Sequence, residues 1–200
     1  MRSGLGEGLF AVASPVHSRL FEAQPVKERA MPPPTTALLI LDAQIGFFQN
    51  DPSVFDADNM LMRIGVLIDR ARAANIQVVY MENVAKPEVD GPIHPQLAPH
   101  KNDIVLPKRT PDAFHQTDLH PALKAAHVDT LVIVGFQTEL CVDTTCRRAW
   151  SMGYHVTLVS DAHSTFPPIN GGLTPSQIIA HHNEVLATFV YPVPCSEIVF

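Results

Sequence analysis

The sequence predicts an α/β fold, a three-layer α-β-α sandwich around a mostly parallel central sheet. Two observations predict it. Apolar runs of strand length alternate with segments of helical period, the pattern of strands joined by crossover helices. Two of those runs, residues 37–42 and 130–135, are apolar at nearly every position, as strands covered on both faces must be. The 200 residues, 46% of them hydrophobic, suit one such domain.

The elements follow in chain order. Residues 37–42, Ala-Leu-Leu-Ile-Leu-Asp, read as a buried strand ending in a carboxylate. Over residues 59–75 the apolar Leu61, Ile64, Leu67, Ile68 and Ala71 repeat at three and four, which makes a surface helix that Asp58 or Asn59 can cap. A strand is predicted at 77–81. It leads into a proline-rich loop over 83–102, with Pro87, Pro92, Pro95 and Pro99, whose length suits a lid or binding loop. A short strand at 104–106, a short helix at 119–127 and a strand at 130–135 come next. Residues 141–152 are then helical and stop at Gly153, residues 156–160 form a strand, and Asp161-Ala-His163 closes it as a turn. A helix at 175–187 has proline in its first turn, and a last short strand lies between 188 and 193.

Residues 1–35 differ from the rest. They are rich in Gly, Ala and Ser without a period, so a poorly ordered N-terminal extension is expected before a domain at 36–200. Glu7, Glu22 and Glu28 count against a transit peptide, and Met31 offers a second possible start.

Composition excludes several functions. A net charge of −6 without a dense Lys/Arg tract argues against nucleic acid, and no apolar run approaches the roughly 18 residues that span a bilayer. The expected partner is a small-molecule substrate. Three cysteines, Cys141, Cys146 and Cys195, cannot all pair within the chain and lack zinc-finger spacing, which fits the reducing cytoplasm.

The chemistry gathers where strands end. In an open parallel sheet ligands bind beyond the carboxyl ends of the strands, and Asp42, Lys108 and Cys141 each stand just past one. Cys141 opens a helix, whose free N–H groups favour a thiolate and can hold an oxyanion. Asp42 is suited to take the thiol proton and return it to a leaving nitrogen, and Lys108 to keep both anions stable. The amides of Cys141 and of the turn at Phe136 and Gln137 are the oxyanion donors. Cys146, five residues on, lies on another side of the helix and reads as packing, as does Cys195. His181 and His182, Glu139 (solvent or a subunit contact), Asp143 (the helix start) and Trp150 all read as non-catalytic. Gln44, Phe48, Phe114 and Gln137 are candidates for substrate binding, with the core an equal alternative for the phenylalanines.

Four motifs carry a resemblance: Leu-Leu-Ile-Leu-Asp42-Ala-Gln44-Ile-Gly-Phe-Phe48, Pro107-Lys108-Arg-Thr-Pro-Asp-Ala-Phe114, Val-Gly135-Phe-Gln-Thr138-Glu-Leu-Cys141-Val, and Ser160-Asp161-Ala162-His163. In this order, from Thr36 onward, the chain resembles the isochorismatase-like cysteine hydrolases, among them nicotinamidases, N-carbamoylsarcosine amidohydrolase and streptothricin hydrolase. The resemblance implies a triad of Asp42, Lys108 and Cys141, a cis peptide at Phe136–Gln137, no cofactor, and a homodimer or homotetramer. Nicotinamidases hold a metal through an Asp-x-His pair between the triad aspartate and lysine. That interval here has only His94 and His100, so no metal is expected.

Within the family, residues 93–99 and 177–183 look most like the streptothricin hydrolase branch. The cysteine favours cleavage of a C–N bond in an amide, lactam or carbamoyl group. The alternatives are isochorismatase-type vinyl ether hydrolysis by Asp42 without a covalent step, and a non-catalytic member that binds a ligand or partner.

Overall fold

The apolar runs become the strands of one six-stranded sheet in the order β3-β2-β1-β4-β5-β6, with every neighbouring pair parallel. The strands are β1 (Thr36–Leu41), β2 (Gln77–Asn83), β3 (Ile104–Lys108), β4 (Thr130–Phe136), β5 (His155–Ser164) and β6 (Tyr191–Val193). This architecture comes from a computed structural model that describes residues 36–168 and 172–200. The expected disorder of residues 1–35 concerns positions outside that range.

Period two sorts the strand side chains into two cores. Leu38 and Ile40 of β1, Tyr80 of β2 and Val134 of β4 face α1 (Ile45–Gln49) and α2 (Ala57–Ala73). The alternate residues Leu39, Leu41, Met81 and Ile133 face α4 (Leu119–Ala125), α5 (Asp143–Ser151) and α6 (Pro175–Leu186). Helix α2 buries Met60, Ile64, Leu67, Ile68 and Ala71, the stripe read from its period. Removing such side chains from water is worth about 1.5–3 kcal/mol for each large one before ordering costs. Its N-terminus differs from expectation. Neither Asp58 nor Asn59 stands at the cap; Asp56 does, with a left-handed φ of 57°, and its carboxylate pairs with Arg63 at 3.1 Å. Thr174 and Gln177 form a reciprocal capping box on α6.

Strand β5 runs longer than predicted. Asp161-Ala-His163 is not a turn: His163 pairs with Gly135 and Ser164 with Phe136 in the β4–β5 register. The register shifts between Ile133 and Gly135, and Gly135 is obligatory there. Its φ is 118°, and a Cβ would lie 2.1 Å from the Leu41 carbonyl oxygen. Glycine therefore lets β4 close onto the end of β1. The strand order reverses direction between β1 and β4, the place where a parallel sheet opens a crevice at its carboxyl edge.

Candidate active site

Asp42 follows β1 in a left-handed conformation, φ 52°, which aspartate tolerates better than most residues. Its backbone N–H donates to the Met81 carbonyl at 2.9 Å, so the turn is fixed by β2. Lys108 ends β3, an edge strand where Pro107 is acceptable because no further strand needs its missing N–H. Cys141 lies in a π-helical turn, Thr138–Val142, that precedes α5. The helical stretch thus starts three residues before the predicted position and with a wider ring. The amides of Leu140 and Val142 both donate to the Gln137 carbonyl at 3.1 Å, and the Phe136–Gln137 peptide is cis.

The structure brings these three side chains together. Lys108 Nζ lies 2.8 Å from Asp42 Oδ2 and donates to Cys141 Sγ at 3.1 Å and to the Thr110 carbonyl at 3.4 Å. All three ammonium hydrogens are thereby used. The Asp42 and Lys108 side chains are each only 1% exposed. Among the described residues no N–H or O–H other than that of Lys108 reaches the Asp42 carboxylate, which leaves the Cys141 thiol as its remaining hydrogen-bond neighbour.

Burial sets the charges. It raises the Asp42 pKa, with Lys108 pulling in the opposite direction. Burial also opposes the charge on Lys108, yet Asp42 and Cys141 together raise that amine above its ordinary value. Burial and then the Asp42 carboxylate push the Cys141 thiol up to about 11, and Lys108 offsets only part of this. The resting group is therefore a thiol, whereas the helix-start argument favoured a thiolate. Burial, and after it the carboxylate beside the sulfur, outweigh the helix field.

A cavity of about 340 Å³ has Phe47, Lys86, Asp90 at the end of α3 (Pro87–Asp90), Leu140 and Phe166 among its walls; it reaches Leu140, the chain neighbour of Cys141, but none of the Asp42, Lys108 and Cys141 side chains lines it. Gln137 also lines it, and its side-chain N–H donates to Glu139 Oε1 at 2.7 Å and to Thr165 Oγ1 at 3.0 Å. Glu139 thus bonds inward to Gln137 and Thr165 instead of facing solvent. Gln44 is 1% exposed, and its amide is spent on the main chain of Asn83 and Gly91. Phe48 packs edge-on against Phe136 and His94, and Phe114 against Tyr154 on the opposite face of the sheet. Neither phenylalanine lines the cavity; Phe47 and Phe166, which sequence reasoning missed, do. On a one-turn helix, nothing in the sequence decides between Phe47 and Phe48.

Other conspicuous residues have structural partners. Cys146 is fully buried, and burial pushes its thiol above the ordinary range. Cys195 is buried as well, and all three thiols are free. His94 accepts from the Gln96 amide. Asp143 pairs with Arg147 at 2.9 Å, and half-exposed Trp150 meets Phe189 edge-on. His182 bonds to the Ile178 carbonyl. Among the described residues no three His, Cys, Asp or Glu side chains gather as a metal site, and no helix is long and apolar enough to cross a membrane.

With the geometry in view, similarity decides the family. The family model for the Isochorismatase domain matches residues 36–170. The chain belongs to the isochorismatase family. It is 36% identical over 140 residues to streptothricin hydrolase of Streptomyces noursei, covering 66% of this chain and 56% of that protein. It is 29% identical over 178 residues to ureidoacrylate amidohydrolase RutB of Methylorubrum extorquens, covering 67% and 72%. An isochorismatase structure from Pseudomonas putida superposes with a TM-score of 0.77 at 29% identity, covering 86% of this chain and 95% of that one. The chain spans about half the length of the streptothricin hydrolases it matches.

Proposed function

We propose that this family member is a cysteine hydrolase that cleaves a C–N bond of a small amide, lactam or carbamoyl compound through a thioester on Cys141. One observation carries the reading: a single buried ammonium, Lys108, touches both the Asp42 carboxylate and the Cys141 sulfur. The relatives named as streptothricin hydrolase and ureidoacrylate amidohydrolase support C–N cleavage, and the first of them favours the streptothricin hydrolase branch.

The protonation states set the order of events. With the thiol at about 11, forming a free thiolate at neutral pH costs about 5 kcal/mol. Proton transfer therefore accompanies attack: Sγ bonds to the carbonyl carbon as its proton passes to Asp42. The carbonyl oxygen becomes an anion held by the N–H of Cys141 and the turn at Phe136–Gln137, because the Leu140 and Val142 amides are occupied by the Gln137 carbonyl. Collapse breaks the C–N bond, and protonated Asp42 gives its proton to the leaving nitrogen. Water, deprotonated by Asp42, then attacks the thioester; the acid leaves and Cys141 regains its proton. Lys108 remains charged throughout and keeps Asp42 acidic enough to ionise despite its burial.

The test is release of amine or ammonia from a panel of small amides, lactams and carbamoyl compounds. Wild type should turn over at least one member, and Cys141→Ala should lose about a thousandfold or more with an unchanged melting temperature. Full activity in that variant would reject the mechanism.

A further inference from the structure

Lys108 serves three acceptors, and one of them stands in a segment that no ladder holds. Between the end of β3 at Lys108 and the start of α4 at Leu119 there is neither helix nor strand, yet the Thr110 carbonyl is kept 3.4 Å from Nζ while the same ammonium meets Asp42 and Cys141. The Lys108 side chain is only 1% exposed, so water does not readily replace a missing acceptor. Whatever holds Thr110 therefore also decides where the charge points.

The tether comes from the helix of the nucleophile. Thr145, in the first turn of α5, is fully buried, and its hydroxyl donates to the Pro111 carbonyl at 3.3 Å while accepting from the Ala113 N–H at 3.2 Å. One oxygen thus grips the segment on both sides of Asp112, using its donor and one of its lone pairs. Pro111 passes this grip back to Thr110. Its ring locks φ at roughly −65°, so a single soft torsion separates the anchored Pro111 carbonyl from the peptide plane that presents the Thr110 carbonyl to Lys108. Inside the segment, Thr110 Oγ1 donates to the Asp112 carbonyl at 3.1 Å and Asp112 Oδ1 accepts from the Phe114 N–H at 2.8 Å, which makes it a compact unit. A second link from α5, Arg148 Nε to Asp112 Oδ2 at 3.7 Å, is half-exposed, long and correspondingly weak. Without the Thr145 hydroxyl, the buried Ala113 N–H and the Pro111 carbonyl lose this partner, and the segment must shift to find others.

We propose that Thr145 is a positioning residue: its hydroxyl joins the helix that follows Cys141 to the segment that follows Lys108, and thereby keeps the Lys108 ammonium directed at Asp42 and Cys141 together. The proposal rests on the hydrolytic reading above only for its effect on turnover, since the state of the ammonium can be followed without a reaction.

The full chain, isotope-labelled at its lysine side-chain nitrogens, is observed by NMR, with Lys108→Met assigning the Lys108 ammonium. The unaltered chain should show that ammonium as a slowly exchanging signal. Thr145→Val, which keeps the volume and removes the hydroxyl, should speed its hydrogen exchange about tenfold, whereas Thr145→Ser should stay within about twofold of the unaltered chain. Pro111→Gly, at an exposed position, leaves the Thr145 hydroxyl in place and frees the torsion that transmits its grip; it should speed exchange about threefold and decides the matter if Thr145→Val does not fold. Cys146→Ala, which removes core packing from the same helix, should leave exchange unchanged. In turnover of an active amide, Thr145→Val should lower kcat about tenfold with KM within about twofold, and Thr145→Ser should restore it. Unchanged exchange in folded Thr145→Val or in Pro111→Gly overturns the proposal. So does an equal acceleration in Thr145→Ser or Cys146→Ala, or the lack of a slowly exchanging Lys108 signal in the unaltered chain. Faster exchange in Thr145→Val with no amide hydrolysed by the unaltered chain rejects the hydrolase reading and keeps the tether, whereas a loss of kcat with unaltered exchange rejects the tether and keeps the hydrolase.

Discussion

On one side of the turn at residues 138–142, Asp42, Lys108 and Cys141 bury two charges and a thiol whose protons can move. On the other side, Thr138, His163 and Asn183 form a buried chain in which each polar atom has one fixed task. Thr138 Oγ1 bonds to His163 Nδ1 at 2.9 Å, His163 Nε2 to Asn183 Oδ1 at 3.0 Å, and Asn183 Nδ2 donates to the Ser160 carbonyl at 2.9 Å. Since the Asn183 amide nitrogen is used by Ser160, its oxygen faces the imidazole. Nε2 therefore carries the proton and Nδ1 accepts from Thr138. Both clusters are polar and buried. The satisfied one anchors β5 and α6 to the turn at residues 138–142, and the other, in which among the described residues Lys108 and the Cys141 thiol are the neighbours of the Asp42 oxygens, keeps a carboxylate acceptor beside a thiol.

The largest expected effect separates the two by charge. Lys108→Met should cost about 3–5 kcal/mol of stability at pH 8, because it leaves the Asp42 carboxylate buried without its cation. That loss should shrink as pH falls. Without Lys108 the folded-state pKa of Asp42 rises further, the folded state binds the proton more tightly than the unfolded one, and acid then favours folding. Urea denaturation at pH 8 and pH 5 checks the sign; a loss that does not depend on pH would mean that Asp42 does not depend on Lys108 for its charge.

The neutral cluster should respond to acid in the opposite direction. Burial lowers the His163 pKa to about 4, below the ordinary 6.5. The unfolded chain takes up a proton first, so stability is complete above pH 6.5 and declines down to about pH 4, by about 3 kcal/mol. In His163→Gln this part of the acid slope should vanish in denaturation curves recorded across the same window. An unchanged slope would mean that His163 is protonated in the fold. The smallest effect concerns the second thiol. Cys146→Ala should cost about 1 kcal/mol in denaturation and leave turnover within about twofold, since its sulfur contacts only the core. A large loss of turnover with normal stability would give Cys146 a role that the geometry does not.

How much of this was legible in the sequence differs between the two clusters. Asp42, Lys108 and Cys141 stand directly after apolar runs, so their common edge follows from sheet topology. His163 was misread as part of a turn because Asp161 and Ser164 make the segment look polar. Only the pairing with β4 and the distant Asn183 make it a buried strand end. The helix at Cys141 was legible but its π-helical start was not, since the size of a hydrogen-bonded ring leaves no compositional trace. Asp90 lies in a proline-rich stretch that shows only irregularity. Its place at the cavity depends on Gly46 and Gln44, more than forty positions earlier. Gln44 itself looked like a ligand for a carboxamide, and its actual partners are backbone groups that adjoin it only after folding.

The most direct test of the central claim is intact-mass and peptide mass spectrometry of the protein acid-quenched during turnover of an active amide. The account predicts an added mass equal to the acyl portion of the substrate, confined to the peptide carrying Cys141 and removed by hydroxylamine. Rapid turnover with no acyl group on Cys141, or an acyl group on Cys146, Cys195 or Asp42 instead, would contradict it.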